Sequence, residues 1–460
     1  MRFHTVNPAT GEKLKEYSTI SKKEAFKALA NSTKAFTEWK TLSLRQRIDF
    51  IKRAGQVLRG RKGEIAKTIA LEMGKPIAQS LAEVEKCAWA CDVFFENAEK
   101  WLQEEVVQAD GLEHRVVFEP LGVVLSIMPW NFPLWQVMRF AIPALAAGNV
   151  TLLRHSSVCP ESGAWAEKVF TEAGCPEGVF TSIVTDHSTV KALIESPLVS
   201  GVSLTGSTAA GSIVGGLAGA NLKKLVLELG GSDPFIVLED ADVPFTCAKG
   251  VFGRIQSNGQ SCIAAKRFIV VKEKAREFTG AFVQAMKAQL VGDPLKPDTQ
   301  LGPLASKQQL STLERQVAKG VRQGAKLLCG GKRAKVKGFK KGFYYEPTVA
   351  VVKPSNVLAG EEVFGPVAAV IVVEDEKEAV RVANDSEYGL GASVWTKDLE
   401  RGKRVARQLE AGCVFVNSIV KSDPRLPFGG VKKSGVGREL SHYGLKEFVN
   451  VKTVNVYDQK

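Results

Sequence analysis

The sequence predicts an α/β protein with a parallel sheet wound by helices, a second α/β region and a small β segment. Between residues 122 and 238, short apolar runs alternate with helical segments, which is typical of parallel strands joined by helices. A second series of such runs follows Cys262, and helical periodicity dominates the first hundred residues. Because 460 residues exceed one ordinary core, we expect about two or three domains.

The composition favours a globular enzyme that handles anionic small molecules. The formal charge is +13, from 62 Lys and Arg against 49 Asp and Glu, but the charge is scattered. Its densest run, Lys332 to Lys341, contains one aromatic residue and no signature of a nucleic-acid recognition module. We therefore predict no nucleic-acid partner and assign the positive charge to an anionic cofactor or substrate.

Cysteine usage and the amino terminus predict a cytoplasmic protein. The eight cysteines include no CxxC pair and no spacing typical of a zinc site or a disulfide framework, so we expect a reducing compartment and no metal. Residues 1–8 lack an apolar signal region, and no run approaches the ~18 apolar residues of a membrane span. We expect no membrane association.

The first hundred residues are predicted to form short strands followed by helices. Residues 1–20 contain a turn at Asn7-Pro8-Ala9-Thr10-Gly11, and Ser21 with Glu24 forms a capping-box pattern at the start of a helix. Helical periodicity then continues from about Leu44 to Trp101, interrupted at Gly74-Lys75-Pro76.

Two segments with strand character flank the main body. Residues 109–121 contain a turn at Asp110-Gly111 and then alternating apolar residues, and residues 449–456 alternate in the same way. Exposed edge strands need partners. We expect these segments to pair between subunits, which predicts a homodimer or homotetramer.

The apolar runs of the central region predict the strands of the parallel sheets. The first series comprises 122–128, 150–153, 180–184, 201–204, 225–229 and 235–238, and the second 268–271, 367–373, 392–395 and 413–416. Parallel sheets bind ligands beyond the carboxyl ends of their strands, so a nucleotide site is the default expectation.

Asn258-Gly259-Gln260-Ser261-Cys262 and Glu228-Leu229-Gly230-Gly231 are the candidate reactive segments. Cys262 is flanked by small and amide-bearing residues, and Glu228 ends a strand-like run. A thiolate is a nucleophile, and a nearby carboxylate is a base for water. Taken singly, a free cysteine is more often an inert packing residue and a strand-end glutamate is more often solvated.

Two strand-to-helix loops carry polar groups. In Pro129-Trp130-Asn131-Phe132-Pro133, the Asn131 amide is a neutral donor suited to a developing oxyanion. In the loop beginning at Thr205, the backbone of Gly206 and the hydroxyl of Ser207 are suited to a pyrophosphate at a helix N-terminus, although the GxGxxG fingerprint is absent.

Together these segments resemble the aldehyde dehydrogenase superfamily over essentially the whole chain. The matching motifs stand in the family's order: Pro129-Trp130-Asn131-Phe132-Pro133, Thr205-Gly206-Ser207, Glu228-Leu229-Gly230-Gly231, Gly259-Gln260-Ser261-Cys262, Glu361-Glu362-Val363-Phe364-Gly365-Pro366 and Pro427-Phe428-Gly429-Gly430. Within the superfamily, residues 258–267 and 421–430 look most like the shorter succinate-semialdehyde dehydrogenases.

The resemblance implies a domain plan and a mechanism. It implies a Rossmann-type cofactor domain (1–108 and 122–231), an α/β catalytic domain (232–439) and oligomerisation segments (109–121 and 440–460). Cys262 would attack the aldehyde, Asn131 and the Cys262 N–H would hold the oxyanion, and Glu228 would activate water to hydrolyse the thioester. No metal is required.

For the cofactor, the resemblance implies NAD(P), and we predict a preference for NADP with NAD also possible. Arg154-His155-Ser156-Ser157 stands where many relatives carry Lys-Pro-Ser-Glu. Ser157 would not repel a 2′-phosphate as a glutamate does, and Arg154 offers a cationic fork for it; the alternative is that Arg154 is a surface arginine. The other implied cofactor residues are Trp130, Gly206, Ser207, Leu229, Glu362 and Phe364.

For the substrate, the branch resemblance implies succinate semialdehyde. Trp135 and Arg139 are four residues apart on the helix after Pro133, so they share a face next to Asn131. Relatives that act on uncharged aldehydes tend to have an aromatic residue at the position of Arg139. We therefore predict that Arg139 binds a remote carboxylate, with a surface salt bridge as the alternative. Ser422 is a predicted channel donor. Gln256 stands where some succinate-semialdehyde enzymes place a second arginine.

Three alternative functions are weighed against the same motifs. A broad-specificity enzyme, or one acting on another carboxylate-bearing or short-chain aldehyde, fits the same motifs. A cysteine hydrolase or acyltransferase without a redox cofactor would need a histidine base, and none of the five histidines lies in a segment typical of that site. A catalytically silent binding protein on this fold would have no reason to combine Cys262, Glu228 and Asn131.

Overall fold

The computed structural model describes residues 2–459. Its amino-terminal part is an antiparallel ribbon followed by four helices: β1 (Arg2–Val6), β2 (Lys13–Ser18), α1 (Lys22–Trp39), α2 (Leu44–Gly60), α3 (Lys62–Met73) and α4 (Ile77–Trp101). Ser21 caps α1 and forms the predicted capping box with Glu24. The predicted break at Gly74-Lys75-Pro76 separates α3 from α4.

Two short strands then lead into the first wound sheet. The elements in chain order are β3 (Glu105–Val106), β4 (Glu113–Pro120), β5 (Val123–Met128), α5 (Trp135–Ala146), β6 (Val150–His155), α6 (Pro160–Glu172), β7 (Phe180–Ile183), α7 (His187–Glu195), β8 (Val199–Thr205), α8 (Thr208–Ala220) and β9 (Lys224–Glu228). The strands β9-β8-β5-β6-β7 lie side by side in parallel. Their helices and sheet share one continuous apolar core with α1–α4.

The second wound sheet follows directly. Its elements are β10 (Asp233–Val237), α9 (Val243–Ile255), a 3₁₀ turn (Gln256–Gly259), β11 (Ala265–Val271), α10 (Lys272–Lys287), α11 (Lys307–Arg322), β12 (Lys326–Cys329), β13 (Thr348–Val351), α12 (Val357–Gly360), β14 (Val367–Val373), α13 (Glu376–Asn384), β15 (Tyr388–Gly389), β16 (Gly391–Trp395), α14 (Leu399–Ala406) and β17 (Cys413–Val416). The sheet order is β12-β13-β14-β11-β10-β16-β17, with only the β12 edge antiparallel.

Both faces of this second sheet are buried. Along β10, Phe235 and Val237 belong to the core on one face, and Ile236 belongs to the core on the other. This alternation with burial on both sides is expected of a parallel sheet covered by helices. The predicted runs are strands and the α/β fold class is confirmed. The run 235–238, predicted with the first series, is instead β10 of the second sheet, where it pairs with β11 and β16.

The carboxyl end of the chain returns to the first sheet and to β4. The last elements are β18 (Val431–Lys432), β19 (Gly435–Val436), α15 (Ser441–Lys446) and β20 (Val449–Val456). β19 pairs with β9, and β20 pairs with β4 along its full length in a three-stranded antiparallel sheet with β3. The two segments expected to pair between subunits thus pair with each other within one chain, which leaves β20 as an edge strand.

No helix within residues 2–459 combines the length and the apolar character that crossing a bilayer requires.

Candidate active site

The carboxyl edge of the first sheet faces the amino edge of the second. β5, β8 and β9 end at Met128, Thr205 and Glu228, and the Asn131 loop and the Gly206-Ser207 loop extend from that edge. In the second sheet, Cys262 immediately precedes β11, and residues 362–364 immediately precede β14. The fold therefore brings the predicted reactive segments to one junction, although they are far apart in the sequence.

The segment before Cys262 is held in an unusual backbone conformation. Ser257, Asn258 and Gly259 have φ values of 53°, 60° and 74°, in the left-handed region that residues other than Gly and Asn rarely adopt. Asn258 satisfies this turn by donating to the carbonyls of Gly74 and Pro303 and accepting from the Gly302 N–H, at 2.7–2.8 Å. These bonds fix the approach of the chain to Cys262.

Asn131 contacts this segment directly. Its Nδ2 donates to the Gln260 carbonyl at 3.1 Å, and its own carbonyl accepts from the Ser257 hydroxyl at 3.0 Å. The side chain is 5 % exposed. Because an amide nitrogen carries two hydrogens, one N–H of Asn131 is left to donate to another group beside Cys262.

The loop that carries Asn131 is anchored from beneath. Glu83 Oε1 accepts from the N–H groups of Leu134 and Trp135 at 3.0 and 2.9 Å, and its other oxygen forms a buried ion pair with Lys75. His155, in the segment that departs from the family pattern, is buried, with its Nε2 2.8 Å from the Pro133 carbonyl. The Asn131 loop therefore has fixed supports on both sides.

Cys262 is a protonated thiol at neutral pH in this structure. Burial raises its pKa to about 12, against the opposing effect of the Arg139 and Lys266 cations. Lys266 Nζ donates to the carbonyls of Ser261 and Cys262 at 3.0 and 2.7 Å and lies 3.8 Å from Glu362. Sequence analysis did not single out Lys266, although it stands four residues after the cysteine.

Glu228 is buried with both carboxylate oxygens free of hydrogen-bond donors. Burial raises its pKa well above the ordinary range, and the Arg139 guanidinium, 3.7 Å away, opposes that rise. Gly429 approaches this carboxylate closely, since a Cβ built on it would lie 2.8 Å from Glu228 Oε1. Glu228 can therefore accept a proton, and its pKa is set by burial, by the Arg139 and Arg438 cations and by the Glu439 carboxyl.

A cavity of about 270 Å³ opens beside Cys262. Its lining includes Trp130, Asn131, Gly206, Ser207, Leu229, Glu362 and Phe364. The rings of Trp130 and Phe364 meet edge to face with centroids 5.7 Å apart. The structure thus brings most of the predicted cofactor residues together; Gln136, Gln309 and Thr312 also line the cavity and were not predicted.

The residues around this cavity fit a dinucleotide. Ser207 caps α8 by accepting from the Ala210 N–H, so its hydroxyl hydrogen is available at the start of that helix. Glu362 accepts from the Gly231 N–H at 3.0 Å. Arg154, partly buried at the end of β6, has a buried Nε with no acceptor, and Ser157 is exposed nearby in sequence. An unpartnered buried guanidinium nitrogen is a ready site for a phosphate oxygen.

The predicted substrate residues fall into two groups. Ser422 and Trp135 are in contact, since Trp135 Nε1 donates to Ser422 Oγ at 3.2 Å. Arg139 does not join them. Its guanidinium forms an ion pair with Glu439, stacks on Phe428 at 4.8 Å and faces Glu228. This geometry favours a role for Arg139 toward Glu228 over the predicted clamp on a remote carboxylate, and it also differs from a surface salt bridge because Arg139 is 2 % exposed.

Comparison with known proteins identifies the family. The sequence profile of the Aldehyde dehydrogenase family matches residues 1–454. The chain belongs to this family. It therefore oxidises an aldehyde, and the prediction of an aldehyde dehydrogenase is confirmed.

Similar proteins are found along the whole chain. Succinate-semialdehyde dehydrogenase [NADP(+)] 1 of Mycobacterium tuberculosis strain H37Rv is 43% identical over 99% of both chains. The NAD(P)+-dependent succinate semialdehyde dehydrogenase Sad of Escherichia coli K12 is 44% identical over 98% of this chain and 97% of its own. A crystal structure of succinic semialdehyde dehydrogenase from Streptococcus pyogenes with NADP+ superposes with a TM-score of 0.96 at 34% identity, covering 99% of this chain and 100% of that one.

Sequence reasoning missed the buried charges of this aldehyde dehydrogenase. Lys75, Glu83, Lys266 and Glu439 are all nearly inaccessible, although such residues are ordinarily exposed. Lys266 could have been suspected from its place beside Arg267 in a strand whose other residues are apolar. The pairing of Arg139 with Glu439 had no local signal, because the partners are in distant parts of the chain.

Proposed function

We propose that this aldehyde dehydrogenase oxidises succinate semialdehyde to succinate with NADP. The observation that carries the proposal is the junction of Cys262, Asn131 and Glu228 beside a cavity suited to a dinucleotide. The named activities of the relatives from M. tuberculosis, E. coli and S. pyogenes support the substrate and the cofactor.

Cys262 is the nucleophile. Its thiol gives its proton to solvent water, and the sulfur attacks the aldehyde carbon to give a thiohemiacetal whose oxygen carries the negative charge. The free N–H of Asn131 and the backbone N–H of Cys262 donate to that oxygen. Because the Cys262 pKa is about 12, little thiolate exists before substrate and cofactor are bound, and the Arg139 and Lys266 cations favour its formation.

Glu228 is the base of the second half-reaction. Loss of hydride from the thiohemiacetal carbon leaves a thioester on Cys262, and water must then attack the carbonyl carbon. Both oxygens of Glu228 lack donors, so either can accept the proton of that water. The acid is released and Cys262 is regenerated.

When bound, NADP would supply the hydride acceptor, its nicotinamide ring. We assign the pyrophosphate to Gly206, Ser207 and the start of α8, and the 2′-phosphate to Arg154 and the Ser157 region. Trp130, Leu229, Glu362 and Phe364 line the inner part of the cavity beside Cys262 and are assigned to the nicotinamide end. NAD lacks the 2′-phosphate and would bind more weakly through the same contacts.

The remaining predictions concern organisation and location. We propose a cofactor-binding domain of residues 1–108 and 122–231 and a catalytic domain of residues 232–439. We also propose that residues 109–121 and 440–460 form an oligomerisation surface. Val451, Val454 and Val456 of the edge strand β20 are 55 %, 39 % and 43 % exposed, which supports a partner there. A homodimer or homotetramer in light scattering tests it. The cytoplasmic location stays a prediction.

The geometry does not support a cysteine hydrolase or acyltransferase. Such an enzyme needs a histidine next to its thiol, whereas the buried His155 is engaged with the Pro133 carbonyl.

The test is the initial rate of reduced-cofactor formation at about 340 nm with succinate semialdehyde and with butanal, using NADP and NAD, for the parent and Cys262→Ser. We expect the highest kcat/KM with succinate semialdehyde and NADP, and no reduction by Cys262→Ser. Equal use of both aldehydes would leave a broad-specificity aldehyde dehydrogenase.

A further inference from the structure

Lys86 on α4 contacts Ser422 and Trp135, two of the predicted substrate-binding residues. Lys86 itself was not predicted. Its Nζ donates to Ser422 Oγ at 2.7 Å and lies 4.4 Å from the centre of the Trp135 ring. Trp135 Nε1 donates to the same hydroxyl. Three side chains from α4, α5 and the loop after β17 therefore meet at one oxygen atom.

This cluster has more donor hydrogens than the one acceptor oxygen of Ser422 can take. A hydroxyl oxygen has two lone pairs and one hydrogen, and the lone pairs of Ser422 are filled by Lys86 and Trp135. The hydroxyl hydrogen and two ammonium hydrogens of Lys86 are left to donate. Ser422 is 6 % exposed, so water has little access to it. Such an arrangement is complementary to a carboxylate.

The nearby carboxylates do not fill this need. Among residues 2–459 Lys86 forms no ion pair, since Glu83 is paired with Lys75 and Asp423 with Arg425. Arg139, the predicted clamp, is ion-paired with Glu439. Lys86 is thus a cation beside Trp135 and Ser422 with no carboxylate partner among the described residues.

The cluster is also linked to the reacting centre. Trp135 stands four residues after Asn131, and the Asn131 loop contacts the segment of Cys262. Glu83, one helical turn before Lys86, accepts from the Trp135 N–H. The position of Lys86 is therefore tied to the same loop that carries the oxyanion donor.

We propose that Lys86, together with Ser422 and Trp135, binds the carboxylate at the far end of the aldehyde substrate and gives the enzyme its preference for an acid-bearing aldehyde. This assignment rests on the proposed function and deepens it. Lys86 is a substrate-binding residue here and takes no part in the chemistry at the aldehyde carbon.

The experiment compares kcat and KM for succinate semialdehyde and butanal, with NADP, in the parent, Lys86→Met and Lys86→Arg. Lys100→Met, an exposed change on the same helix, is the control. For Lys86→Met we expect kcat/KM for the semialdehyde to fall about 10- to 100-fold, mainly through KM, because charge-assisted hydrogen bonds are lost. Butanal oxidation should stay within about twofold, and Lys86→Arg should keep most of the preference.

Butanal activity reports folding in the Lys86 and Lys100 variants, so their outcomes can be told apart. An equal loss with both aldehydes, or no loss with either, overturns the role of Lys86. If the parent prefers the semialdehyde, Lys86→Met keeps that preference and Arg139→Met loses it, then the proposed function stands and this inference alone fails. If the parent does not prefer the semialdehyde, both fail together.

Discussion

The guanidinium of Arg139 lies 3.7 Å from a carboxylate oxygen of Glu228, and both side chains are 2 % exposed. On its other side Arg139 is ion-paired with Glu439. The arginine thus joins the predicted base to a second buried acid, and its positive charge is the largest of the effects that oppose the rise of the Glu228 pKa on burial.

Arg139→Met should therefore slow the enzyme with every aldehyde. Without the guanidinium, the pKa of Glu228 rises further, so the carboxylate form needed as base is reached only at higher pH. We expect the rising limb of the kcat profile to move to higher pH with both succinate semialdehyde and butanal. A loss confined to the semialdehyde, with an unchanged profile for butanal, would restore the clamp role predicted from sequence.

Glu83→Gln should destabilise the protein strongly. Glutamine can still accept from the Leu134 and Trp135 N–H groups, but the Lys75 ammonium is left buried without its counter-ion. Breaking one partner of a buried pair costs about 3–5 kcal/mol. Denaturant unfolding measures the loss. The control is Glu85→Gln, on the same helix as Glu83, which removes a partly exposed partner of Arg59 and Lys62 and should cost less than about 1 kcal/mol. Similar costs for both variants would contradict the support of the Asn131 loop by a buried ion pair.

The preference for an acid-bearing aldehyde should weaken as pH rises. Burial, and then the positive charge of Arg139, lowers the pKa of Lys86 to about 8, while Cys87 and Glu83 on α4 and Asp423 on the loop oppose that shift. The ammonium is present below this pKa and lost above it. The ratio of kcat/KM for succinate semialdehyde to that for butanal should fall between about pH 7 and pH 9, since kcat/KM reports the free enzyme.

Lys86→Arg should abolish that fall, because arginine stays charged over this range. Taking the ratio of two substrates cancels the titration of Cys262 and Glu228, which both aldehydes share. A ratio that stays constant for the parent would contradict the assignment.

Ser157→Glu should shift the enzyme from NADP toward NAD. A carboxylate at this exposed position repels a 2′-phosphate and can accept a hydrogen bond from a ribose 2′-hydroxyl. We expect the ratio of kcat/KM for NADP to that for NAD to fall at least about tenfold, with kcat for NAD maintained. Arg154→Met should lower the NADP value alone; unchanged ratios in both variants would place the 2′-phosphate elsewhere.

The sequence was sufficient for the parts of this enzyme that depend on local pattern. The apolar runs predicted the parallel strands of the first sheet and most of the strands of the second, because each buried strand is a short continuous segment between turns. The strands β12 and β13 at one edge of the second sheet were not predicted. Residues 129–133 and 258–262 could be picked out because loops at strand ends collect amide and small residues. The fold then places these loops at one junction, because the carboxyl edge of the first sheet faces the segment that precedes β11 of the second.

The buried charges could not be predicted in the same way. Lys86 and Ser422 are 336 residues apart, and Arg139 meets Glu439 only because α5 packs against the chain's return to the first sheet. A side chain's partner across such distances depends on the packing of whole elements, and an arginine with a free guanidinium looks the same in sequence as one already paired. The clamp role of Arg139 was predicted from its helical face and its charge, neither of which carries information about Glu439, and it stays a prediction.

The order of events at Cys262 and Glu228 is tested most directly by rapid mixing of Glu228→Gln with succinate semialdehyde and NADP. If Glu228 acts only on the thioester, the variant should release one equivalent of NADPH per active site in a fast burst and then turn over slowly, with an acyl group retained on Cys262 by mass spectrometry. A variant with no burst, and with hydride transfer slowed as much as turnover, would show that Glu228 is needed before the thioester forms and would contradict the account.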